Sequence, residues 1–80
     1  MNQTLIFGCN GILGKAVSEH FYKNKNFVKG IDITGKPKSG FINEYINYDL
    51  RLIKDCDHFE KLFLANLIDE VDNINILIAV

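Results

Sequence analysis

The sequence predicts an α/β fold built on a parallel sheet. Short apolar runs typical of strands alternate with segments whose apolar residues recur at helical spacing. This alternation gives the order β-α-β-β-α-β, which is typical of parallel sheets with helices on their faces. Right-handed crossovers would place the four strands side by side in the order 3-2-1-4.

Three of the strands are predicted in the first fifty residues. Residues 4–7 form a short, apolar and buried strand that is bounded by glycine. Residues 27–33 and 44–49 are the next two strands. Residues 34–40, rich in Gly, Pro and Ser, form a turn-rich loop between them.

The first predicted helix runs from Ile12 to about Lys25. Its apolar face comprises Leu13, Ala16, Val17 and Phe21. The opposite face comprises Lys15, Ser18, Glu19, Lys23 and Asn24. We expect the helix to stop in the segment "NKN", because Asn tolerates the left-handed conformation that ends helices.

The second predicted helix begins at a capping box. Asp57 supplies an oxygen acceptor at the N-cap, and Glu60 supplies a carboxylate three residues later. The helix runs to about Asp72, with an apolar stripe of Phe59, Leu62, Phe63, Leu67 and Val71. Residues 74–80 follow as a continuous apolar run, which is typical of a strand covered on both faces.

Composition and charge exclude several classes of protein. The chain has 80 residues, 48% of them hydrophobic and 24% charged, and its net charge is −1 at pH 7. Because it has no basic face and no apolar run near the roughly 20 residues of a membrane span, we expect neither a nucleic-acid nor a membrane partner. The N-terminus has no signal-peptide pattern, and Cys9 and Cys56 lack metal-type spacing. We therefore expect one cytoplasmic domain with reduced thiols and no metal.

Three evenly spaced glycines stand between the first strand and the first helix, in the segment "FGCNGILG". A helix that opens there has unpaired backbone N–H groups in its first turn, and these attract phosphate. Gly8 would permit a tight turn, Gly11 would let a pyrophosphate approach the backbone, and Gly14 would let the helix and strand pack closely. The pattern predicts a dinucleotide site; the alternative is a glycine turn that binds nothing.

Asp32 ends the second predicted strand, eighteen residues after Gly14. A dinucleotide site is expected to have a carboxylate for the adenosine ribose at roughly 20 residues. Such a carboxylate also repels a 2′-phosphate, which favours NAD over NADP. Lys36 and Lys38 in the next loop leave NADP open, because either could reach a phosphate. The alternative for Asp32 is a solvated residue at the end of a strand.

These segments resemble the N-terminal, cofactor-binding half of the short-chain dehydrogenase/reductase family, whose members are NAD(P)-dependent Rossmann enzymes. The resemblance covers nearly all 80 residues and implies a partial Rossmann-like domain that ends after the fourth strand. "FGCNGILG" is similar to the glycine motif of the family's extended branch, which includes nucleotide-sugar epimerases and reductases. "GIDI" is similar to the acidic motif of the second strand. "YDLR" implies that Asp49 contacts the adenine edge and that Leu50 lines the adenine pocket.

The final segment, "NINILIAV", resembles the family's fourth strand but has Ala79 and Val80 where paired asparagines are typical. The resemblance places these two residues beside the cofactor; the alternative is an ordinary core strand. The long helix before this strand is typical of the family's other main branch, so the branch and the substrate stay open. The residues expected to contact the cofactor are Gly8, Asn10, Gly11, Ile12, Leu13, Gly14, Asp32, Ile33, Asp49, Leu50 and Ala79.

The catalytic pair of the family, Tyr-x-x-x-Lys, is absent from the sequence, because no tyrosine is followed four positions later by lysine. His20, near the buried stripe of the first helix, and His58 have no partner at a useful spacing, and we expect both to be structural or solvated. Cys9 lies near a helix N-terminus, which could lower its pKa, but we expect only a small residue tolerated beside the cofactor. We therefore expect no catalytic residue in this chain.

The sequence supports three interpretations of function. The first is the cofactor-binding part of an oxidoreductase, not active alone, whose small-molecule substrate binds only in a longer protein. The second is a non-catalytic module that senses NAD(P) or pairs with another chain. The third is a domain without a ligand. In the first case residues 74–80 would lie at an open sheet edge, which invites self-association.

Overall fold

The structure is a computed structural model, and it describes residues 2–64 and 73–79. Its strands are β1 (Asn2–Phe7), β2 (Phe27–Asp32), β3 (Glu44–Asn47) and β4 (Asn73–Ile78), and its helices are α1 (Ile12–Lys23) and α2 (Cys56–Phe59). A 3-10 turn, Leu50–Leu52, precedes α2, and a π-helical segment, Glu60–Leu64, follows it. Within this described part of the chain, none of the helices is long and apolar enough to cross a membrane.

The four strands form one parallel sheet in the order β3-β2-β1-β4, which confirms the predicted strand order. β1 pairs with β2 on one side and with β4 on the other, so that Phe7 lies opposite both Ile31 and Ile78. The fold is therefore a mixed α/β fold, as the alternation of strands and helices predicts.

The core has two layers, one on each face of the sheet. Alternate residues of a strand point to opposite faces. Ile6 of β1 packs with Val17 and Phe21 of α1, as the helical spacing predicts. Leu5, the residue before it, packs on the other face with Phe63 of the π-helical segment. The segments that follow β1 and β3 thus cover opposite faces.

The buried face of α1 differs from the predicted apolar stripe. Gly14 and Ser18 are buried, whereas Leu13 is 58% exposed and Ala16 is also exposed. The prediction that Ser18 faces solvent is wrong, as is the predicted burial of Leu13 and Ala16. The helix approaches the glycine loop closely at this point. Because the helix backbone at Gly14 lies against residues 8–9, the buried face has room only for small side chains. The Ser18 hydroxyl donates to the Gly14 carbonyl at 2.6 Å and is thereby satisfied.

Helix α1 ends at Lys23, two residues before the predicted end. Asn24 is the C-cap, and both its backbone N–H and its side-chain amide donate to the His20 carbonyl, at 3.1 and 2.7 Å. The left-handed residue is Lys25, with a φ of 65°, rather than an asparagine. The predicted stop in the segment "NKN" is confirmed, but Asn24 acts through its side chain and not through a left-handed backbone.

Helix α2 begins two residues earlier than the capping box predicts. Asp55 is the N-cap: its side chain accepts from the His58 N–H at 2.9 Å, and its carbonyl accepts from the Phe59 N–H at 3.0 Å. Asp57 is therefore not the N-cap but lies in the first turn, where its carboxylate interacts favourably with the positive end of the helix dipole. The position of the N-cap follows from the backbone hydrogen bond between Asp55 and Phe59, which the spacing of residues in the sequence does not reveal.

The predicted apolar stripe of this second helix is described only in part. Phe63 is buried and Phe59 is partly buried, whereas Leu62 is 36% exposed. The predicted members Leu67 and Val71, with the predicted helix end, lie outside the described residues. The described stripe packs through aromatic contacts, with the rings of Phe59 and Phe63 centred 5.4 Å apart.

Strand β4 forms an edge of the sheet, and one of its faces is open. Ile74, Ile76 and Ile78 are 42%, 43% and 71% exposed. The prediction that both faces are covered is therefore wrong for this face, because the described aromatic residues after β3 pack over β1 and β2. Leu77 packs on the α1 side of the sheet. Val80, predicted as the end of the strand, lies outside the described residues.

Candidate functional site

The glycine loop, residues 8–11, lies at the carboxyl edge of the sheet. The Gly8 N–H donates to the Ile31 carbonyl of β2 at 2.8 Å, and the Ala79 N–H donates to the Phe7 carbonyl at 2.7 Å. The chain leaves β1 toward β2 through α1, whereas β4 lies on the other side of β1. The strand order therefore reverses at this loop, and open parallel sheets bind ligands in the crevice at such a point.

Two of the three glycines are required by the packing of the protein itself. Gly8 has a φ of 86°, and a Cβ there would overlap the Ala79 carbonyl oxygen. A Cβ at Gly14 would overlap the Gly8 carbonyl oxygen and lie 2.7 Å from the Cys9 Cα. The loop thus has the tight turn and the close helix–strand packing that the glycine spacing predicts.

Gly11 is different, because the protein leaves space around it. It is exposed and has an extended backbone, with φ −74° and ψ 172°. A Cβ there would meet only the Gly8 carbonyl oxygen, at an ordinary contact distance of 3.7 Å. The packing of the described residues therefore does not explain a glycine at this position, whereas a ligand approaching the loop would.

The first turn of α1 presents backbone donors without acceptors. Gly11 is the N-cap and has no side chain to cap the helix, and the first helical bond runs from the Lys15 N–H to the Gly11 carbonyl at 2.9 Å. Within the described part of the chain, the N–H groups of Ile12, Leu13 and Gly14 have no hydrogen-bond acceptor. No acidic residue of the first turn offsets the helix dipole. Such an arrangement favours an anion at this end of the helix.

Asp32 faces the glycine loop from the end of β2. Its Oδ2 accepts from the Asn10 N–H at 2.9 Å, and its Oδ1 accepts from the Ile33 N–H at 2.7 Å. Each carboxylate oxygen can accept a further hydrogen bond, so the group keeps capacity for a ligand. The structure therefore brings Asp32 to the glycine loop, with the 54% exposed side chain of Ile33 beside it.

The Asn10 side chain forms hydrogen bonds with the segment that follows β2. Its Oδ1 accepts from the Lys38 N–H at 2.9 Å, and its Nδ2 donates to the Lys36 carbonyl at 3.2 Å. Nδ2 also donates to the hydroxyls of Thr34 and Tyr45. Asn10 belongs to the expected contact set, but its side chain is occupied by the protein.

Asp49 and Leu50 take no part in these hydrogen bonds. Asp49 caps the 3-10 turn and pairs with Arg51, with 2.8 Å between Oδ2 and Nη2. Hydrogen bonds from Arg51 lower the pKa of the Asp49 carboxyl from its ordinary value. Leu50 lines an apolar pocket of about 430 Å³, together with Phe7, Ile53, Phe59, Ile76 and Ile78.

The cysteine and histidine side chains give no reactive cluster. Burial and, to a smaller degree, the charge of Asp32 raise the pKa of Cys9 to about 11, so the helix N-terminus does not lower it. Cys56 is exposed, and a hydrogen bond with Glu60 raises its pKa. Among the described residues, no group of three or more His, Cys, Asp or Glu side chains could hold a metal ion.

The two histidines have separate local environments. His20 is exposed rather than near the buried stripe, and its ring edge contacts Phe21. The Nδ1 atom of His58 accepts from the Lys54 N–H at 3.1 Å. Neither hydrogen bonds to the glycine loop.

The hydrogen bonds of Asn10 are the part of the site that sequence reasoning missed. They join positions 24 to 35 residues apart in the chain, and no motif marks such a pairing.

Comparison of the chain with protein families, with curated proteins and with solved structures finds no match.

Proposed function

We propose that the chain is the dinucleotide-binding part of an oxidoreductase similar to the short-chain dehydrogenases/reductases, with a Rossmann-like fold. The observation that carries the proposal is the first turn of α1, where three N–H groups that have no acceptor among the described residues stand next to the side-chain-free Gly11. A diphosphate would accept hydrogen bonds from the amides of Ile12, Leu13 and Gly14 and would complement the positive end of the helix. The reversal of strand order at this loop supports the same ligand.

In this proposal NAD is the preferred cofactor and NADP the alternative. Asp32, which already accepts from the loop, would accept the adenosine ribose hydroxyls with its remaining lone pairs. Its negative charge would oppose a 2′-phosphate. The exposed Lys36 and Lys38 are the residues through which NADP would bind.

The adenine is proposed to lie beyond the ribose, where Leu50 would line its pocket, and Ala79 would lie beside the cofactor with backbone contacts only. Leu50 supplies apolar surface at the pocket described above, and Ala79 is buried against the glycine loop. Asp49 would approach the adenine edge only in competition with its ion pair to Arg51.

We assign the chain a binding role and no catalytic role. When bound, the nicotinamide cofactor would exchange a hydride with an alcohol or carbonyl, such as a sugar derivative. None of the three tyrosines here has a lysine four positions later, so residues outside this sequence would supply the acid/base and the substrate pocket. This chain's part is to bind and orient the cofactor in the cytoplasm, where its two free thiols would stay reduced.

The second candidate is a non-catalytic NAD(P)-binding module that associates with another chain. The three exposed isoleucines of β4 fit this candidate, because an open apolar edge invites association, and the same edge is expected for the first candidate. It differs from the first candidate in the partner and shares the same nucleotide site.

Calorimetric titration of the 80-residue chain with ADP, adenosine, NAD and NADP tests the proposal. We expect ADP and NAD to bind and adenosine to bind far more weakly, because only the diphosphate reaches the amides of α1. Equal binding of ADP and adenosine, or no binding of either, would overturn the proposal. Both candidates predict binding of ADP and NAD, because they share the nucleotide site.

A further inference from the structure

Asn10 connects two loops that are distant in sequence. Its side chain is 9% exposed, and both of its polar atoms are paired. The 34–38 loop, residues 34–38 between β2 and β3, supplies three of the partners: the Thr34 hydroxyl, the Lys36 carbonyl and the Lys38 N–H. One amide side chain thus holds this loop by two backbone groups and one hydroxyl.

Tyr45 of β3 forms a second anchor for the same loop. Its hydroxyl donates to the Thr34 carbonyl and also accepts from the Asn10 side chain at 3.3 Å. Tyr45 is only partly exposed and packs with the core layer under α1. The 34–38 loop is therefore fixed between the glycine loop and the sheet.

Asp32 lies at the junction of the two loops. It accepts from the Asn10 backbone N–H at 2.9 Å, and the 34–38 loop begins two residues after it. The backbone of Asn10 thus holds the carboxylate, while its side chain holds the segment that follows. A ligand group that hydrogen bonds to Asp32 would therefore lie next to the 34–38 loop.

We propose that Asn10 is a positioning residue that holds the 34–38 loop as one wall of the site for the adenosine ribose. The inference rests on the proposed function, and it assigns to Asn10 an indirect role in place of direct contact with the cofactor. Asparagine suits this role because it offers a donor and an acceptor together; an aspartate would direct a carboxylate oxygen at the Lys36 carbonyl.

The test uses the Asn10→Leu variant, which keeps the branched shape of the side chain, adds no charge beside the diphosphate and removes both the donor and the acceptor. Affinities for ADP and 2′-deoxy-ADP are measured by calorimetry for the wild type and the variant, with circular dichroism to show that both are folded. We expect the wild type to prefer ADP. The variant should bind ADP about tenfold more weakly and 2′-deoxy-ADP almost unchanged, because a loosened wall loses ribose contacts but leaves the diphosphate amides in place.

Amide hydrogen exchange of the nucleotide-free proteins gives an independent readout. The Lys38 N–H should exchange faster in Asn10→Leu, which removes its acceptor, whereas the amides of β1 should be unchanged. Tyr45→Phe, which removes the second anchor and leaves the glycine loop intact, serves if Asn10→Leu does not fold. It should shift the ADP to 2′-deoxy-ADP ratio in the same direction by a smaller factor.

The possible failures separate the two proposals. Equal weakening of both nucleotides, or unchanged exchange at Lys38, would overturn the role of Asn10 while the proposed function stands. If the wild type binds neither nucleotide, the proposed function fails and the ribose role fails with it, whatever the exchange rates are.

Discussion

The substitution Gly11→Ala tests whether the glycine at this position is needed for ligand binding or for folding. Gly11 has an extended backbone that alanine adopts without strain, and a Cβ there would lie 3.7 Å from its nearest protein atom outside the adjacent residues. If a diphosphate lies against the amides of Ile12, Leu13 and Gly14, the added methyl group occupies part of its space. The protein should therefore tolerate the change, whereas the ligand should not.

The two effects differ in magnitude. For stability, alanine is a poorer N-cap than glycine by roughly 0.5–1 kcal/mol, but it also restricts the unfolded chain, which offsets about 0.4–1 kcal/mol. The free energy of unfolding should thus change by less than about 1 kcal/mol. For binding, loss of two hydrogen bonds from amides to a charged phosphate is worth about 3–6 kcal/mol, or roughly 10²- to 10⁴-fold in the dissociation constant.

Urea denaturation measures the first effect, and calorimetric titration with ADP measures the second. Gly40→Ala is the matched control, because a Cβ at Gly40 meets no atom of the described residues within 4 Å and lies in the loop after β2. We expect Gly40→Ala to leave both quantities unchanged. Wild-type ADP affinity in a folded Gly11→Ala protein would show that no ligand occupies the space beside Gly11.

Three further predictions follow from individual contacts. Gly14→Ala should lower the free energy of unfolding by about 1–3 kcal/mol in urea denaturation, because the new Cβ overlaps the backbone of the glycine loop; an unchanged midpoint would contradict the close packing. Asp32→Asn should bring the NADP affinity closer to that for NAD in parallel titrations, because it removes the charge that opposes a 2′-phosphate; an unchanged ratio would contradict that role. The raised pKa of Cys9, about 11 against an ordinary 9.0, means that stability is full below pH 9 and falls as the pH rises toward 11. The loss should be about 2–3 kcal/mol relative to Cys9→Ala, and parallel stability profiles for the two proteins would disprove it.

The strand order and the glycine turn could be predicted because each depends on short-range information. Alternating apolar runs and helical periods determine the order of elements, and right-handed crossovers then leave one arrangement of the sheet. The tight turn at Gly8 and the close packing at Gly14 follow from the position of these residues between a strand and a helix.

Other features could not be predicted because they depend on contacts between distant residues. The buried face of α1 is set by the close approach at Gly14, which reverses the expected exposure of Leu13 and Ser18. The hydrogen bonds of Asn10 to the 34–38 loop depend on the path of the chain after β2, which brings this loop back to the glycine loop. Neither leaves a periodic signal in the sequence.

The most direct test of the diphosphate site is a titration of ¹⁵N-labelled protein with ADP, followed by the backbone amide resonances. We expect the largest shifts at Ile12, Leu13 and Gly14, whose amides have no acceptor within residues 2–64 and 73–79, and almost none there with adenosine. Shifts absent from these three amides, or concentrated at the apolar pocket around Leu50, would contradict this expectation.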